Sequence, residues 1–452
     1  MAIVGAGVVG AAIARELTRH GASCVLVEAA PDVGTGTSKA NTAILHTGFD
    51  AKPGTVEARL VRRGHELLRG YAAQVGIPTA TTGALMVAWT RDQLETLSRI
   101  RATATQNGYE DAREVDVDEL YRREPALGPG VLGALEIPDE GIICPWTTTL
   151  ALATEAVGGG CELALCAPVI GVERAARFEL QTSRGPIAAE YLVNAAGLRS
   201  DEIDARLGHD DFTVVPRRGE LIVFDKLARG LVDHILLPVP TERTKGVLVA
   251  PTVYGNVLLG PTAEDLDSKD DRSTSAGGLS SLLADGVRIV PDLAEHEVTA
   301  TFAGLRAATE HRDYQLRVHA EQGYVCAGGI RSTGVSASLA IAEHVREGLA
   351  DAGLRLSGQP GEADLEMPNI GELSPRPYEQ PELIARDPDY GRVVCFCERV
   401  TRGEIEAAMG SPIPPCDADG LRRRTRAGMG RCQGFFCGAS LTARLAADGR
   451  GG

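Results

Sequence analysis

Aromatic residues make up only 4% of this 452-residue chain, although 44% of it is hydrophobic. A large core is still within reach, and the length suits two or three domains. Positive charge is also in deficit: 46 Lys and Arg stand against 61 Asp and Glu, for a net charge of -15. That balance opposes broad adhesion to nucleic acid or anionic lipid and leaves a small molecule as the expected substrate. No apolar run reaches the roughly 18 residues that a transmembrane helix needs. The chain enters a fold motif without a signal peptide, so a cytoplasmic location is expected, with peripheral docking at the inner membrane left open. Internal repeats and low-complexity tracts are missing too.

What the chain does have is an uneven supply of cysteine. Of ten cysteines, Cys395, Cys397, Cys416, Cys432 and Cys437 fall within the last 58 residues. In a reducing compartment such a cluster reads as a metal or redox site before it reads as disulfides. The scattered Cys24, Cys144, Cys161, Cys166 and Cys326 are expected to be small core residues.

The N-terminal run "MAIVGAGVVGAAIARELTRHGASCVLVE" gives a short strand, then Gly5-x-Gly7-x-x-Gly10, a helix, and a second strand ending at Glu28. Gly5 suits the tight turn, Gly7 lets the backbone approach a pyrophosphate, and Gly10 allows helix-to-strand packing; Glu28 is placed to accept from a ribose. The fingerprint alone does not separate FAD from NAD. Two later strand-turn-helix segments, "AEYLVNAAGLRSDEIDARLG" (189–208) and "GYVCAGGIRSTGVSASLAIAEHV" (323–345), add Gly197 and Gly329 to the same kind of site. A site assembled from the start, middle and far end of some 345 residues suits a long, permanently held ligand such as FAD; read singly, these segments are ordinary strand-turn-helix joints. Residues 213–310 alternate short strands with turns and are expected to form a mostly antiparallel substrate-binding layer, with "YGN" (254–256) as a hairpin turn. Six prolines between 360 and 388 mark an expected linker over 351–390, leading to a small domain over 391–445.

The runs "TSKANTAILHTGFDAKPGTVEARL" (37–60), "RRGELIVF", "VNAAGLRSD", "LLGPTAED", "FAGLRAAT" and "GGIRSTGVSAS" resemble the FAD-dependent oxidoreductases that include glycerol-3-phosphate dehydrogenases, L-2-hydroxyglutarate oxidase and D-amino-acid oxidase. The segment "RRRTRAGMGRCQGFFC" resembles the bacterioferritin-associated-ferredoxin type of [2Fe-2S] domain. The implied fold is α/β: a Rossmann-like FAD-binding domain over residues 1–350 (segments about 1–80, 140–212 and 320–350), an interleaved antiparallel substrate layer, and a small helical iron-sulfur domain. The resemblance implies cofactor contacts from Thr37, Ser38, Arg331, Ser332, Thr333 and Gly334 beside the glycines and Glu28. It also implies cluster ligation by Cys395, Cys397, Cys432 and Cys437, with Cys416 outside the motif. Structural zinc prefers wider C-x2-4-C pairs than Cys395-x-Cys397 and is the weaker reading, with inert thiols weaker still. The run Arg422, Arg423, Arg424, Arg426 and Arg431 reads either as a solvated helix face or, slightly favoured, as electrostatic support for an anionic cluster.

A flavin takes two electrons as a hydride, whereas such a cluster takes one at a time, so the pairing implies a dehydrogenase that exports electrons to a partner protein, a membrane subunit or a quinone. His46 matches a family His-x-Gly and is the candidate base or flavin hydrogen-bond partner, a structural histidine being the alternative. Arg306 and Arg312 match anion-binding positions, and Arg218 and Glu220 are expected at the pocket edge. The related dehydrogenases carry Gly-Gly-Lys where this chain has Gly328-Gly329-Ile330 followed by Arg331, which divides the substrate expectation between glycerol 3-phosphate, favoured, and an L-2-hydroxy acid, with amino acids or opines behind. A non-catalytic flavin and iron-sulfur electron-transfer protein, or an iron-sensing module, are the readings from other classes.

Overall fold

The computed structural model describes residues 1–240, 246–358 and 364–449. Its central layer is a six-stranded sheet in the order Gln315–His319, Tyr324–Gly328, Leu192–Asn194, Ala2–Val4, Val25–Val27, Glu162–Ala164. All neighbours pair in parallel except the antiparallel edge strand Gln315–His319. The inner strands are short and apolar because helices cover them, notably Val8–Arg19, Pro145–Gly158 and Gly334–Asp351. Three sequence-distant strands therefore end side by side, and the crevice beyond the carboxyl end of Ala2–Val4 is where this kind of sheet binds ligands.

A nine-stranded sheet forms the second layer. It is built from 84–137 as well as 215–308, so it begins earlier in the chain than the alternating strand pattern suggested. Most pairs are antiparallel; Ile235–Pro238 runs parallel to Ala84–Ala88. Its spine is the long pair Val215–Phe224 and Val298–Ala308, which places Arg217 opposite Arg306 and Gly219 opposite Gly304. The 254–256 turn does join two antiparallel strands, Leu248–Pro251 and Val257–Gly260, with Gly255 at φ +81°.

The C-terminal lobe has a two-stranded ribbon, Val393–Cys395 with Val400–Thr401, and helices Arg402–Met409, Ala418–Thr425 and Gly438–Ala447. Val400, Ile405, Leu421, Leu441 and Leu445 make its own small core. The proline-rich stretch before it is no loose tether where it is described. Met367 and Ile370 are buried in the main core, the Met367 N–H donates to the Val75 carbonyl (2.8 Å), and the Glu372 N–H donates to the Val253 carbonyl (2.9 Å). The stretch 359–363 lies outside the described residues.

Candidate functional site

Between the two large sheets lies a cavity of about 930 Å³. Gly5, Gly7, Glu28, Thr37 and Ser38 line one side of it, and Gly197, Gly329, Arg331, Ser332, Thr333 and Gly334 are drawn in from the later segments. Gly10 is the exception among the expected cofactor residues. It packs beneath the site, where an added Cβ would come 1.8 Å from the Gly5 carbonyl oxygen. Gly5 itself sits at φ +101°, and a Cβ there would meet the Ala195 carbonyl at 2.4 Å. The backbone is thus pared down where a pyrophosphate would approach, at the start of the helix Val8–Arg19, whose N-cap Gly7 offers no side-chain cap. Glu28 accepts from the Ala6 and Ala30 N–H groups (2.8 Å each). Burial raises its pKa, with those hydrogen bonds opposing the rise. This cradle fits a dinucleotide.

His46 also lines the cavity, with both ring nitrogens engaged. Nδ1 lies 2.7 Å from Glu140 Oε1, and Nε2 lies 3.0 Å from Asp50 Oδ1. Burial disfavours its charge, but the two carboxylates outweigh burial and raise the pKa to about 10. His46 is therefore an imidazolium at neutral pH, its proton shared with Asp50, and not a solitary base. Glu140 is buried and also accepts from the Thr47 N–H and hydroxyl. Neither Glu140, 94 residues away, nor Asp50 stands out in the sequence; a carboxylate four residues after a candidate histidine is the one available signal.

Arg306 projects into the cavity, where Nη2 donates to the Thr262 carbonyl at 3.1 Å. Among the described residues no carboxylate pairs with it. Burial, then the nearby Arg217 and Arg331 cations, lower its pKa to about 10. Gly219 across the strand pair makes the room: a Cβ there would lie 2.5 Å from Arg306 Nη2.

Arg218, Glu220 and Arg312 do not belong to this pocket. Successive side chains on a strand face opposite ways, so on Val215–Phe224 the cavity receives Arg217, Gly219 and Leu221 while Arg218 and Glu220 face away. Arg218 is spent on Glu264 (2.5 Å) and the Ser273 carbonyl, and Glu220 accepts from the Ser275 N–H. Arg312 is exposed, and its carbonyl accepts from Arg331 Nη1. The arginine missed in the sequence is Arg217, held by Asp265 at 2.6 and 2.9 Å.

In the C-terminal lobe four thiols gather as two pairs. Cys395 and Cys437 are buried and hydrogen-bonded to each other, and Cys397 and Cys432 form the partly exposed pair. Backbone N–H groups, that of Phe436 foremost, lower the Cys432 pKa, and burial, then Cys395, pushes Cys437 up to about 12. The Gly428 N–H donates to Cys395 Sγ at 3.4 Å, the kind of contact that tunes a cluster's potential. Among the described residues no three His, Cys, Asp or Glu side chains gather as one metal ion would need. A two-iron cluster asks for two thiolates per iron, and the paired arrangement fits it. Cys416 is turned elsewhere, its Sγ donating to the Pro31 carbonyl at 2.9 Å.

Most of the arginine run binds carboxylates rather than supporting the cluster. Arg423 and Arg424 both clamp Asp32 of the main body (2.6 to 2.8 Å), Arg426 holds Glu398 (2.8 Å), and Arg431 reaches Asp225 (2.7 Å). Arg422 lies against the cysteine loop, beside Gly428 and Gly434, with a buried Nε that has no protein partner among the described residues, and Arg431, next to Cys432, also feels the charge of Cys397.

Residues 1–347 match the family model of FAD dependent oxidoreductases, and residues 393–447 match the BFD-like [2Fe-2S] binding domain. The chain belongs to the FAD dependent oxidoreductase family. Glycerol 3-phosphate dehydrogenase of Caloramator mitchellensis is 34% identical over 99% of this chain and 94% of that protein. One subunit of the anaerobic glycerol-3-phosphate dehydrogenase of Escherichia coli K12 is 25% identical over 96% of this chain and 85% of its own length. The FAD-bound L-alpha-glycerophosphate oxidase of Mycoplasma pneumoniae superposes with a TM-score of 0.76 at 27% identity, covering 82% of this chain and 98% of that one. FAD and a [2Fe-2S] cluster are the cofactors of this oxidoreductase.

Proposed function

We propose that this oxidoreductase is a glycerol 3-phosphate dehydrogenase that passes its electrons through the [2Fe-2S] cluster to a one-electron acceptor. The observation that carries the substrate is the register pair Arg217 and Arg306, two cations side by side on the cavity face with Arg331 close by. Like charges directly opposite on a sheet are destabilising, and Asp265 offsets only Arg217. A dianionic phosphate relieves the remaining repulsion better than a single carboxylate does, through forked, charge-assisted hydrogen bonds. Ile330 stands where related dehydrogenases carry lysine and favours the competing L-2-hydroxy acid; Arg331, one residue later and lining the cavity, returns the cation.

The bound flavin supplies a two-electron acceptor for the hydride on the alcohol carbon. The chain's residues do the rest. Glu140 fixes Nδ1 of His46 and the imidazolium Nε2–H faces Asp50 Oδ1, so the Asp50 carboxylate is the group of this pair that receives the hydroxyl proton. Arg306 and Arg217 hold the phosphate end and thereby aim the carbinol carbon.

The exit side of the cluster supports a partner, either an acceptor protein or a membrane-bound one. Phe396, Phe435 and Phe436 are 71 to 84% exposed within the two cysteine loops, an apolar rim of the sort that anchors transient redox partners. Similarity to one component of a larger dehydrogenase points the same way. No helix among the described residues is long and apolar enough to cross a membrane, and a thiolate-held cluster suits the reducing cytoplasm. Anaerobic stopped-flow bleaching of the flavin tests the substrate: glycerol 3-phosphate should bleach it rapidly and L-2-hydroxyglutarate slowly. The reverse order would overturn the assignment.

A further inference from the structure

We propose that electrons leave the flavin cavity for the cluster by way of Trp146, Tyr254 and Arg426. The proposal rests on the reading that the cluster is the exit.

The route is a continuous line of packed groups. Its cavity end is Lys39, set between Ser38 and Ala40, which both line the site. The Lys39 carbonyl accepts from Trp146 Nε1 at 3.0 Å. The Trp146 ring stacks on Tyr254, centroids 5.1 Å apart at an interplanar angle of 18°. On Tyr254 lies the Arg426 guanidinium, 4.2 Å from the ring centroid. Two residues after Arg426, the Gly428 N–H donates to Cys395 Sγ. The stations come from separate parts of the chain: the start of helix Pro145–Gly158, a turn of the second sheet, and the end of helix Ala418–Thr425.

The aromatic pair is unusual in this molecule. The whole chain has two tryptophans and nine tyrosines, and a tryptophan stacks on a tyrosine where the two lobes meet. Packing alone does not require the cation as well. Arg426 is buried and already bound to Glu398 and to Asn256 Oδ1 (3.3 Å), so its place over the ring is held from two sides. Tunnelling falls steeply with distance and more steeply across empty space than through packed atoms, so a gap-free line between the redox centres carries most of the transfer. Other close links between the lobes are surface or flanking ion pairs: Asp32 with Arg423 and Arg424 leaves from the loop after Glu28 at the ribose side, Lys39 meets Asp419, and Asp225 on the second sheet meets Arg431. Each crossing oxidises the reduced flavin by one electron and reduces the cluster by one. A second follows after the cluster has handed its electron to the acceptor, and the released proton goes to solvent.

The test uses the loaded enzyme under anaerobic conditions with the flavin reduced photochemically, which removes substrate identity from the outcome. Reduction of the cluster is followed by freeze-quench electron paramagnetic resonance. Trp146→Leu and Tyr254→Leu should lose the fast phase of cluster reduction while FAD and iron contents stay at wild-type levels. Tyr254→Phe, which keeps the ring, should retain it, and Trp146→Phe, which keeps a ring but loses the Nε1 bond to Lys39, should slow it less than Trp146→Leu. Trp146 is only partly buried, so its Leu variant keeps the measurement decisive if Tyr254→Leu sheds a cofactor. Wild-type kinetics in Trp146→Leu would overturn the route. Failure of the wild-type cluster to be reduced at all would overturn both the route and the reading beneath it, and the two failures are told apart by the wild-type trace.

Discussion

The flavin cavity and the cluster lobe use arginine in opposite ways. In the cavity Arg306 is half-buried beside two other cations with no carboxylate among its described partners. In the lobe Arg423, Arg424, Arg426 and Arg431 each close on a carboxylate, three of them on residues of the main body. A buried charge without a partner is costly, so it persists where a ligand completes it. Fully paired charge does a structural task instead. The basic run near the C-terminus is a clamp, and the less conspicuous Arg306 is the ligand site.

The comparison can be broken most sharply at the cluster itself. Cys432→Ala removes one of the four thiolates, and should abolish iron and acid-labile sulfide while FAD remains; full iron content would return the site to some other ligand set. The next largest effect is expected at the clamp. Asp32 is 1% exposed, and Asp32→Ala would strand the buried Arg424 guanidinium while Arg423 keeps Asp419, which should cost ~3–5 kcal/mol in a denaturant titration. A change within error would show that the lobe is held by its apolar contacts.

Arg306→Ala should weaken flavin reduction by glycerol 3-phosphate through loss of a charge-assisted contact worth about 2 kcal/mol, which is about 30-fold in kcat/KM. Iron content should not move. Arg218→Ala, one residue from the cavity-facing Arg217 but turned to the other face, should leave that rate near wild type. Equal losses in Arg217→Ala and Arg218→Ala would refute the alternation argument. The smallest effect concerns pH. His46 has its pKa raised from 6.5 to about 10, so its ion pairs contribute stability in full below pH 6.5, and this is lost as pH rises through 10. His46→Gln should therefore lower stability by a constant amount below pH 6.5, with the gap to wild type closing as pH rises through 10.

Much of this is legible in local pattern. The glycine spacing after Ala2–Val4 and the acid at Glu28 are readable because one turn must meet a phosphate and one carboxylate a ribose, both within thirty residues. The four cysteines are readable as two short loops. Arg218 draws the eye in place of Arg217 because a doublet such as "RRG" does not declare strand parity; Gly219 and Leu221, both facing the cavity, hold that parity only once the sheet is formed. The stretch before the cluster lobe reads as a linker because prolines deny it helix or strand. Met367 and Ile370 seat it on the main core, a packing outcome with no periodic signal.

The sequence by itself determined which chemistries the chain could hold, since a glycine turn, a pair of cysteine loops and a shortage of basic residues act over short range or by composition. Only the tertiary structure decided which charges face one another. Glu140 meets His46 across 94 positions, Asp32 meets Arg424 across 392, and Trp146 meets Tyr254 at the joint between lobes. Such pairings depend on how sheets stack and which side of a strand turns inward, and those are set by burial of the whole apolar surface, not by any residue's neighbours in the chain.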